Sequence, residues 1–264
     1  MSRLARSMVE LTRFHARSLH RNKIALFFNI IFPLLMVAIF GGLYGTPAAS
    51  RGGGLVDGTG RVLTAFDFLM PGQMAVMVTA AGFVTVAITM AGQRRDGSLR
   101  HLLSTPLSVG SWTAARVLAN VLMAGVQGVL LFVFAALLFD VSPPANLPGT
   151  IVVVLVCTLA SLSMGIFVGT LVKGEATAMA VVMPIYMVLI FLGNSAMPLL
   201  DAPRFIQVML PWVPTYHMTE AMRAVMMFGE GLGAVTKELA ILGGLAAGLL
   251  GIALALMRRQ YTIR

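Results

Sequence analysis

Side chains able to carry out catalysis are scarce in this sequence and stand apart from one another. Its four histidines include no His-Glu-x-x-His pair that would place two zinc ligands on one helical face. No Gly-x-Ser-x-Gly turn presents a nucleophilic serine, and Gly52-Gly53-Gly54 lacks the Lys-Ser/Thr of a phosphate-binding loop. The single cysteine, Cys157, allows neither an intrachain disulfide nor a cysteine metal site. We therefore expect no catalytic residues, no metal site and no enzymatic activity in this chain.

The composition indicates lipid, rather than water, as the solvent of most of the chain. Of its 264 residues, 58% are hydrophobic and only 11% are charged, and the mean hydropathy is +0.89. Soluble domains carry about 25% charged residues. The net charge is +9, but the basic residues flank apolar segments, where membrane topology and anionic lipid explain them better than nucleic acid does. We expect no nucleic-acid partner.

Six apolar segments are each long enough to cross a bilayer as a helix. They lie at about 24–45, 68–92, 116–139, 150–172, 177–196 and 239–257. They predict an all-α integral membrane protein of one domain, residues 1–264, whose first segment is a retained span and not a cleaved signal peptide. With the N-terminus inside, fourteen of the 19 Lys and Arg residues fall on the cytoplasmic side. The positive-inside rule therefore predicts that both termini are cytoplasmic.

Two further segments are predicted to be helical without crossing the membrane. Residues 3–22 have an apolar face beside a basic face, which is typical of a helix lying in the membrane interface. Residues 197–237 contain four prolines between apolar stretches. We expect this segment to form a hairpin of short helical pieces that dip into the outer leaflet, because non-helical backbone at that depth must pack on protein.

Small and weakly polar residues recur at three- and four-residue spacing in span two, and glycines do so in spans four and six. Two interpretations stay open: close packing between helices, or contact with a transported molecule. The 19 methionines allow the same two interpretations, because an unbranched thioether suits both core gaps and an adaptable binding surface. No Asp or Glu lies inside a proposed span, which weighs against an ion-coupled carrier.

The loop between spans two and three, residues 93–114, has the most specific pattern. Gly97 is suited to break the preceding helix, and Ser98 is a plausible N-cap of the next. Leu99, Leu102 and Leu103 then predict a short amphipathic helix that ends before Pro106. Such a helix on the cytoplasmic face could dock a soluble partner; the alternative is a helix that rests on lipid headgroups.

This loop resembles that of the type-2 ABC-transporter permeases, the exporters of drugs, polysaccharides and lipo-oligosaccharides. Their pattern is approximately Glu-Arg-Glu-x-Gly-Thr-Leu-x-x-Leu-x-x-Thr-Pro, and Gln93 or Arg94 replaces its leading acid here. A second stretch is similar to the family's run before the last span, with Val213 in place of the usual Asn. The chain looks most like the daunorubicin-resistance branch of bacterial drug exporters. The loop match comprises Arg94, Arg95, Asp96, Gly97, Ser98, Leu99, Leu102, Thr105 and Pro106, and the second comprises Pro211, Trp212, Pro214, Tyr216 and Arg223.

The resemblance implies a permease that carries no cofactor and works with a second permease copy, identical or related, and with a cytoplasmic ABC ATPase that binds ATP and Mg. The matched loop residues, together with Leu103, would couple this ATPase to the spans. Substrate would cross a cleft lined by spans two and five and leave past the outer hairpin. The residues expected to line the cleft are Thr79, Gly82, Thr85, Thr89, Met183, Met187 and Asn194.

The resemblance and the apolar span interiors together favour efflux of an amphipathic drug-like or lipidic molecule across the plasma or inner membrane, with antibiotic resistance as one consequence. A strongly charged cargo would lack a partner inside the spans. Two alternatives stay open: an ion-coupled secondary transporter, and a non-catalytic membrane assembly factor.

Overall fold

The computed structural model describes residues 27, 31–44, 65–97, 109–139, 143–195 and 203–262, and the described secondary structure is helical throughout. The predicted interfacial helix, residues 3–22, lies outside the described residues. Five described helices are long and apolar enough to cross a membrane. The prediction of an all-α membrane protein is confirmed, and the sixth span and the orientation of the termini stay predictions. The helices are α1 (Phe32–Tyr44), α2 (Ala65–Thr79), α3 (Val86–Arg95), α4 (Val109–Phe139), α5 (Leu147–Leu171), α6 (Glu175–Leu192), α7 (Arg204–Met209), α8 (Pro214–Met226) and α9 (Thr236–Thr262).

Residues 65–95 form one helical rod, which we call the central helix. It consists of α2, a π-helical segment at Ala80–Thr85, and α3. The Thr85 hydroxyl donates to the carbonyl of Ala80, five residues earlier, at 3.2 Å. Almost all of this rod is covered by the other helices of the chain. The central helix is therefore the axis around which α4, α5, α6 and α8 pack.

Glycine allows α5 to approach the central helix closely. A Cβ atom at Gly165 would lie 2.3 Å from the carbonyl oxygen of Gly82, and one at Gly82 would lie 2.6 Å from Cβ of Ser161. Neither position tolerates a side chain unless the two backbones separate. Of the two interpretations of these small residues, the structure shows close packing at Gly82 and Gly165.

Three hydrophobic clusters bind the outer helices to the central helix. The first joins α2 to α4, α5 and α8, and methionines such as Met74, Met77 and Met222 fill it. The second joins the central helix to α6, where the hydroxyl of Tyr186 donates to the carbonyl of Val76 at 3.4 Å. The third joins α3 to α5 and α9. Most described methionines are thus core residues of this conformation, which suits their unbranched side chains.

Capping residues define the two ends of α5. Asn146 is its N-cap and accepts a hydrogen bond from the main chain of Gly149, and a proline occupies the first turn. The helix ends at Leu171, and Gly174 follows with a φ of +92°, which glycine adopts without strain. Only three residues therefore separate α5 from Glu175, the first residue of α6.

Candidate functional site

We distinguish two ends of the bundle by the polar residues that they bring together. The Arg94 end holds the last turn of α3, the start of α4 and the α5–α6 turn. The hairpin end holds the last turn of α6 with α7 and α8. The two lie at opposite ends of α5, because Asn146 at its start contacts the residues after α8 while Arg94 contacts its last turn. We describe the Arg94 end first.

Arg94 caps the C-terminus of α5. Its guanidinium donates to the main-chain oxygens of Gly169 (3.2 Å), Thr170 and Val172 (3.3 Å). The last carbonyls of a helix have no partner within the helix and carry a partial negative charge, so an arginine there is doubly favourable. Arg94 therefore connects the end of the central helix to α5.

The turn between α5 and α6 also contacts the central helix through its main chain. The amide of Gly174 donates to the carbonyl of Ala91 at 2.9 Å. Glu175, in the first turn of α6, lies against Gly92, where a Cβ atom would come within 2.6 Å of its carboxylate oxygen. The last turns of α3 thus contact both the α5–α6 turn and the first turn of α6.

Arg116 connects the same region to α4. Its guanidinium donates to the side chains of Thr89 and Gln93 (3.3 Å to the amide oxygen) and lies 3.5 Å from the carbonyl of Val86. Only 1% of the residue is exposed. On the sequence alone, Arg116 counts only as one of the basic residues between spans two and three. In the structure α4 begins seven residues earlier, at Val109, so Arg116 lies inside a helix and faces the central helix.

Gly97 lies in the turn that follows α3, as expected for a residue that breaks the span. Its φ of +73° is readily available only to glycine, and the amide of Asp96 donates to the carbonyl of Gly92 at 3.0 Å. Arg95 and Asp96 are exposed. Six of the predicted coupling residues lie outside the described residues, namely Ser98, Leu99, Leu102, Leu103, Thr105 and Pro106. Their role and that of the loop helix stay predictions.

The four cleft candidates of the central helix lie within the protomer in this conformation. Thr79 and Thr85 are buried, and the hydroxyl of Thr79 donates to the carbonyl of Ala75 (2.7 Å) and lies 3.7 Å from the sulfur of Met218. Gly82 packs on α5. Thr89 is half-buried and accepts from Arg116. Contact of these residues with a substrate stays a prediction, and for Thr79 and Gly82 it requires α8 or α5 to move away from the central helix.

The three cleft candidates on and after α6 are more accessible. Met183 and Met187 are half-buried and pack against the cluster between α6 and the central helix. Asn194 lies just after α6 with a φ of +55°, which non-glycine residues adopt rarely. Its amide lies 3.5 Å from a carboxylate oxygen of Glu220. Asn194 thus belongs to the polar contacts of the hairpin end.

The hairpin end is held by a buried arginine. Arg223 on α8 donates to the carboxylate of Glu220 (2.8 Å) and to the main-chain oxygen of Asn194 (2.9 Å), which connects α8 to the end of α6. Burial lowers the pKa of Arg223, while the charge of Glu220 opposes the shift. Nearby, the hydroxyls of Ser195 and Thr219 are 2.6 Å apart, and the Thr215 hydroxyl donates to the carbonyl of Leu189. These bonds hold the hairpin on the last turn of α6.

The other predicted hairpin residues lie where the chain turns. The carbonyl of Pro211 accepts a hydrogen bond from the ring of buried His217 (2.8 Å), and Pro214 occupies the first turn of α8. Tyr216 is half-buried, whereas Trp212 is 86% exposed. The expectation of short helical pieces in this segment agrees with α7, the 3₁₀ turn at Leu210–Trp212 and α8. Its depth in a membrane stays a prediction.

Comparison with known proteins places the chain in a family. The sequence profile described as ABC-2 type transporter, a membrane family, matches residues 7–227, most of the chain. The chain belongs to the ABC-2 transporter family. The resemblance read from the loop and the hairpin is thereby confirmed at the level of the family.

Individual relatives of this ABC-2 chain are distant. The inner membrane transport permease YhhJ of Escherichia coli is 24% identical over 195 residues, covering 73% of this chain and 52% of YhhJ. The putative transport permease YvfS of Bacillus subtilis is 26% identical over 53% of this chain and 57% of its own length. ABC transporter G family member 20 of Dictyostelium discoideum is 22% identical over 63% of this chain and 23% of its own length. The matched part of the chain thus spans between 23% and 57% of the length of these relatives.

The polar side chains of this ABC-2 chain serve mainly as contacts between helices in the part of the chain that the structure describes. Among the described residues, no group of three or more His, Cys, Asp or Glu side chains could hold a metal ion. The polar groups at both ends instead bind helix termini and neighbouring helices. Arg116 is the residue of the Arg94 end that sequence reasoning missed. The sequence signal that could have found it is the separation between Pro106, the last helix breaker, and Arg116. This separation leaves enough residues for α4 to begin well before Arg116.

Proposed function

We propose that this chain is the permease subunit of an ABC exporter, and that a separate ATPase docks at the Arg94 end on residues 94–106. The observation that carries the proposal is the course of the central helix. It runs through the middle of the bundle and leads directly, at Gly97, into the loop that resembles the coupling loop of the family. A push on that loop would act on the helix that contacts most of the others.

The positive-inside rule supports a cytoplasmic Arg94 end, because Arg94, Arg95 and Lys173 all lie there. The hairpin end is then extracytoplasmic. The name of YhhJ, an inner membrane permease, agrees with a place in the cell membrane. A complete transporter would contain a second permease, a copy of this chain or a relative, and two ATPases that supply ATP and Mg.

The proposed cargo is an amphipathic drug-like or lipidic molecule. Within the described candidate spans, acidic side chains occur only in the first turns of α6 and α9, as Glu175 and Glu238. A strongly cationic molecule would therefore find no acidic partner beyond the first turns of these spans. Large apolar side chains cover the exposed faces of the same helices. Drug efflux and the placement in the daunorubicin-resistance branch are the finer form of this proposal.

The test is purification of the tagged chain from its own host in mild detergent, with mass spectrometry of the proteins that co-elute. We expect an ABC ATPase with a phosphate-binding loop, and vanadate-sensitive ATP hydrolysis after reconstitution into nanodiscs. Gly97→Pro should abolish both, because proline fixes φ near −65° where the chain needs +73°. Gly229→Pro is the matched control, since Gly229 has a similar φ of +66° after α8, at the hairpin end.

The outcomes separate this proposal from its rivals. Loss of the ATPase in Gly97→Pro but not in Gly229→Pro supports docking at the Arg94 end. An ATPase that stays bound to a folded Gly97→Pro variant, and to Leu102→Asp as a second probe of the loop, removes the coupling role. Transport driven by a proton gradient, with no ATPase co-purified, favours a secondary transporter.

A further inference from the structure

Burying Arg116 costs free energy, and a role in membrane topology does not require this burial. A topogenic arginine acts equally well with its charged head in water, as exposed Arg95 and Arg259 show. Arg116 instead inserts its guanidinium between α4 and the central helix. Removing a guanidinium from water is unfavourable unless hydrogen bonds replace its hydration. Its position therefore indicates a function in joining these two helices.

The residues that accept hydrogen bonds from Arg116 lie in the last turns of the central helix, residues 89–94, which also bind to α5 and to the turn before α6. Thr89 and Gln93 accept from Arg116, Arg94 donates to the carbonyls at the end of α5, and Ala91 accepts from Gly174 before α6. Four residues of the central helix, Thr89, Ala91, Gln93 and Arg94, thus bond to α4, to the end of α5 and to the turn before α6. This stretch leads at Arg94 into the predicted coupling segment, residues 94–106, and ends three residues before Gly97.

We propose that Arg116 is a positioning residue for energy coupling. It fixes the start of α4 to the last turns of the central helix, so that a displacement of the segment after Gly97 moves the central helix, α4, α5 and α6 together. Without it, α4 would be left behind, and because α4 shares a hydrophobic cluster with α2 and α8, less of the displacement would reach the hairpin end. This inference rests on the proposed docking of an ATPase at the Arg94 end.

The experiment measures how strongly nucleotide at one end changes access to the other. Ser195 is 1% exposed, under α8 at the hairpin end. In a Cys157→Ala background, a Ser195→Cys substitution gives one thiol, whose reaction with a membrane-impermeant maleimide reports opening there. The permease–ATPase complex in nanodiscs is labelled with and without ATP plus vanadate, and the ratio of the two rates is the coupling.

The variants separate positioning from folding. In Arg116→Met, the ratio of the labelling rates with and without ATP plus vanadate should shift toward one by a factor of about two to thirty. This is the range expected for residues that carry coupling between distant sites. Arg116→Lys should retain part of the effect, because it keeps the charge but not the forked donors. Thr89→Val removes one acceptor while preserving shape, so its effect should be smaller and in the same direction. Arg259→Met, an exposed arginine at the end of α9, should match the wild type.

Co-purification of the ATPase and the rate of ATP hydrolysis are measured in parallel, and both should persist in Arg116→Met. If Arg116→Met and Thr89→Val keep the wild-type ratio in an intact complex, the inference is overturned. If Arg116→Met does not fold, the ratio measured for Thr89→Val alone decides whether the inference holds. A wild-type complex whose ratio is one, or that holds no ATPase, shows instead that the proposed function fails, and the inference falls with it.

Discussion

The central helix and α9 are both apolar enough to cross a membrane, yet the fold uses them in opposite ways. Of the most apolar window of the central helix, 94% is buried within the chain, against 11% for α9. The central helix contacts α4, α5 and α6, whereas α9 packs mainly on α5. Hydrophobicity alone therefore does not show whether a helix faces lipid or protein, because both solvents favour the same side chains.

Glycines sharpen the comparison. On the central helix and its partner α5, Gly82 and Gly165 lie where another backbone leaves no space for a Cβ atom. On α9, Gly244, Gly248 and Gly251 recur at intervals of three and four residues, as small residues do on α5. A Cβ atom at each of these three glycines would meet nothing within 4 Å. The same small-residue pattern thus permits close helix contact in one place and leaves an open face in the other.

The largest effect is expected from filling the contact between the central helix and α5. Gly165→Leu places its Cβ atom 2.3 Å from the carbonyl oxygen of Gly82, so the two helices must separate. We expect a loss of more than about 3 kcal/mol of stability, or no folded protein. The matched substitution Gly248→Leu on α9 should change stability by less than about 0.5 kcal/mol. Size-exclusion profiles and thermal unfolding in mild detergent measure both.

A reversed order of these two variants would contradict the burial pattern of the bundle. Equal, severe effects would instead show that the glycine face of α9 is covered by protein in the assembled transporter.

The second effect concerns the hairpin that packs against α2 of the central helix. Arg223→Met should lower the free energy of unfolding by about 1–3 kcal/mol, because the Asn194 carbonyl and the Glu220 carboxylate lose their donor. The loss is limited because Glu220 is partly exposed to solvent. Arg204→Met, on an exposed position of α7, is the control and should have little effect. Thermal unfolding of the purified variants measures the difference. Indistinguishable melting curves for the two would mean that the Arg223 contacts do not hold α8 in place.

The smallest effect is expected inside the central helix, at Thr79. Thr79→Val removes the bond to the carbonyl of Ala75 and the contact with the sulfur of Met218, and should cost about 1 kcal/mol or less. Thr158→Val on α5 removes a similar bond to the carbonyl of Val154 and is the control. Thermal unfolding of both variants isolates the Met218 contact. A much larger loss for Thr79→Val would show that this contact matters more to the packing of α8 than expected.

Sequence reasoning worked best where one residue type determines the local structure. The apolar segments predict helices that the described residues contain, and the prediction that Gly97 breaks the helix agrees with its positive φ. The prolines of the hairpin correctly indicated short helical pieces. Boundaries were less accurate: α4 begins at Val109 and α2 at Ala65, which places Asp67 in a helix and buries it.

The positions of Arg94, Arg116 and Arg223 could not be predicted in the same way. Each donates to a residue on a different helix, so its role depends on which helices become neighbours. Sequence spacing places residues only on faces of their own helix. It therefore leaves a buried arginine indistinguishable from a topogenic one.

By itself, the sequence determined the solvent of this protein, its helical class and its family, because these follow from composition, segment length and short motifs. Only the tertiary structure decided that residues 65–95 form the axis of the bundle and that α9 lies at its edge. It also decided that one short stretch of α3 contacts α4, α5 and α6. The physical reason is that lipid and protein interiors are equally apolar, so only close packing and hydrogen bonds between helices select the neighbours.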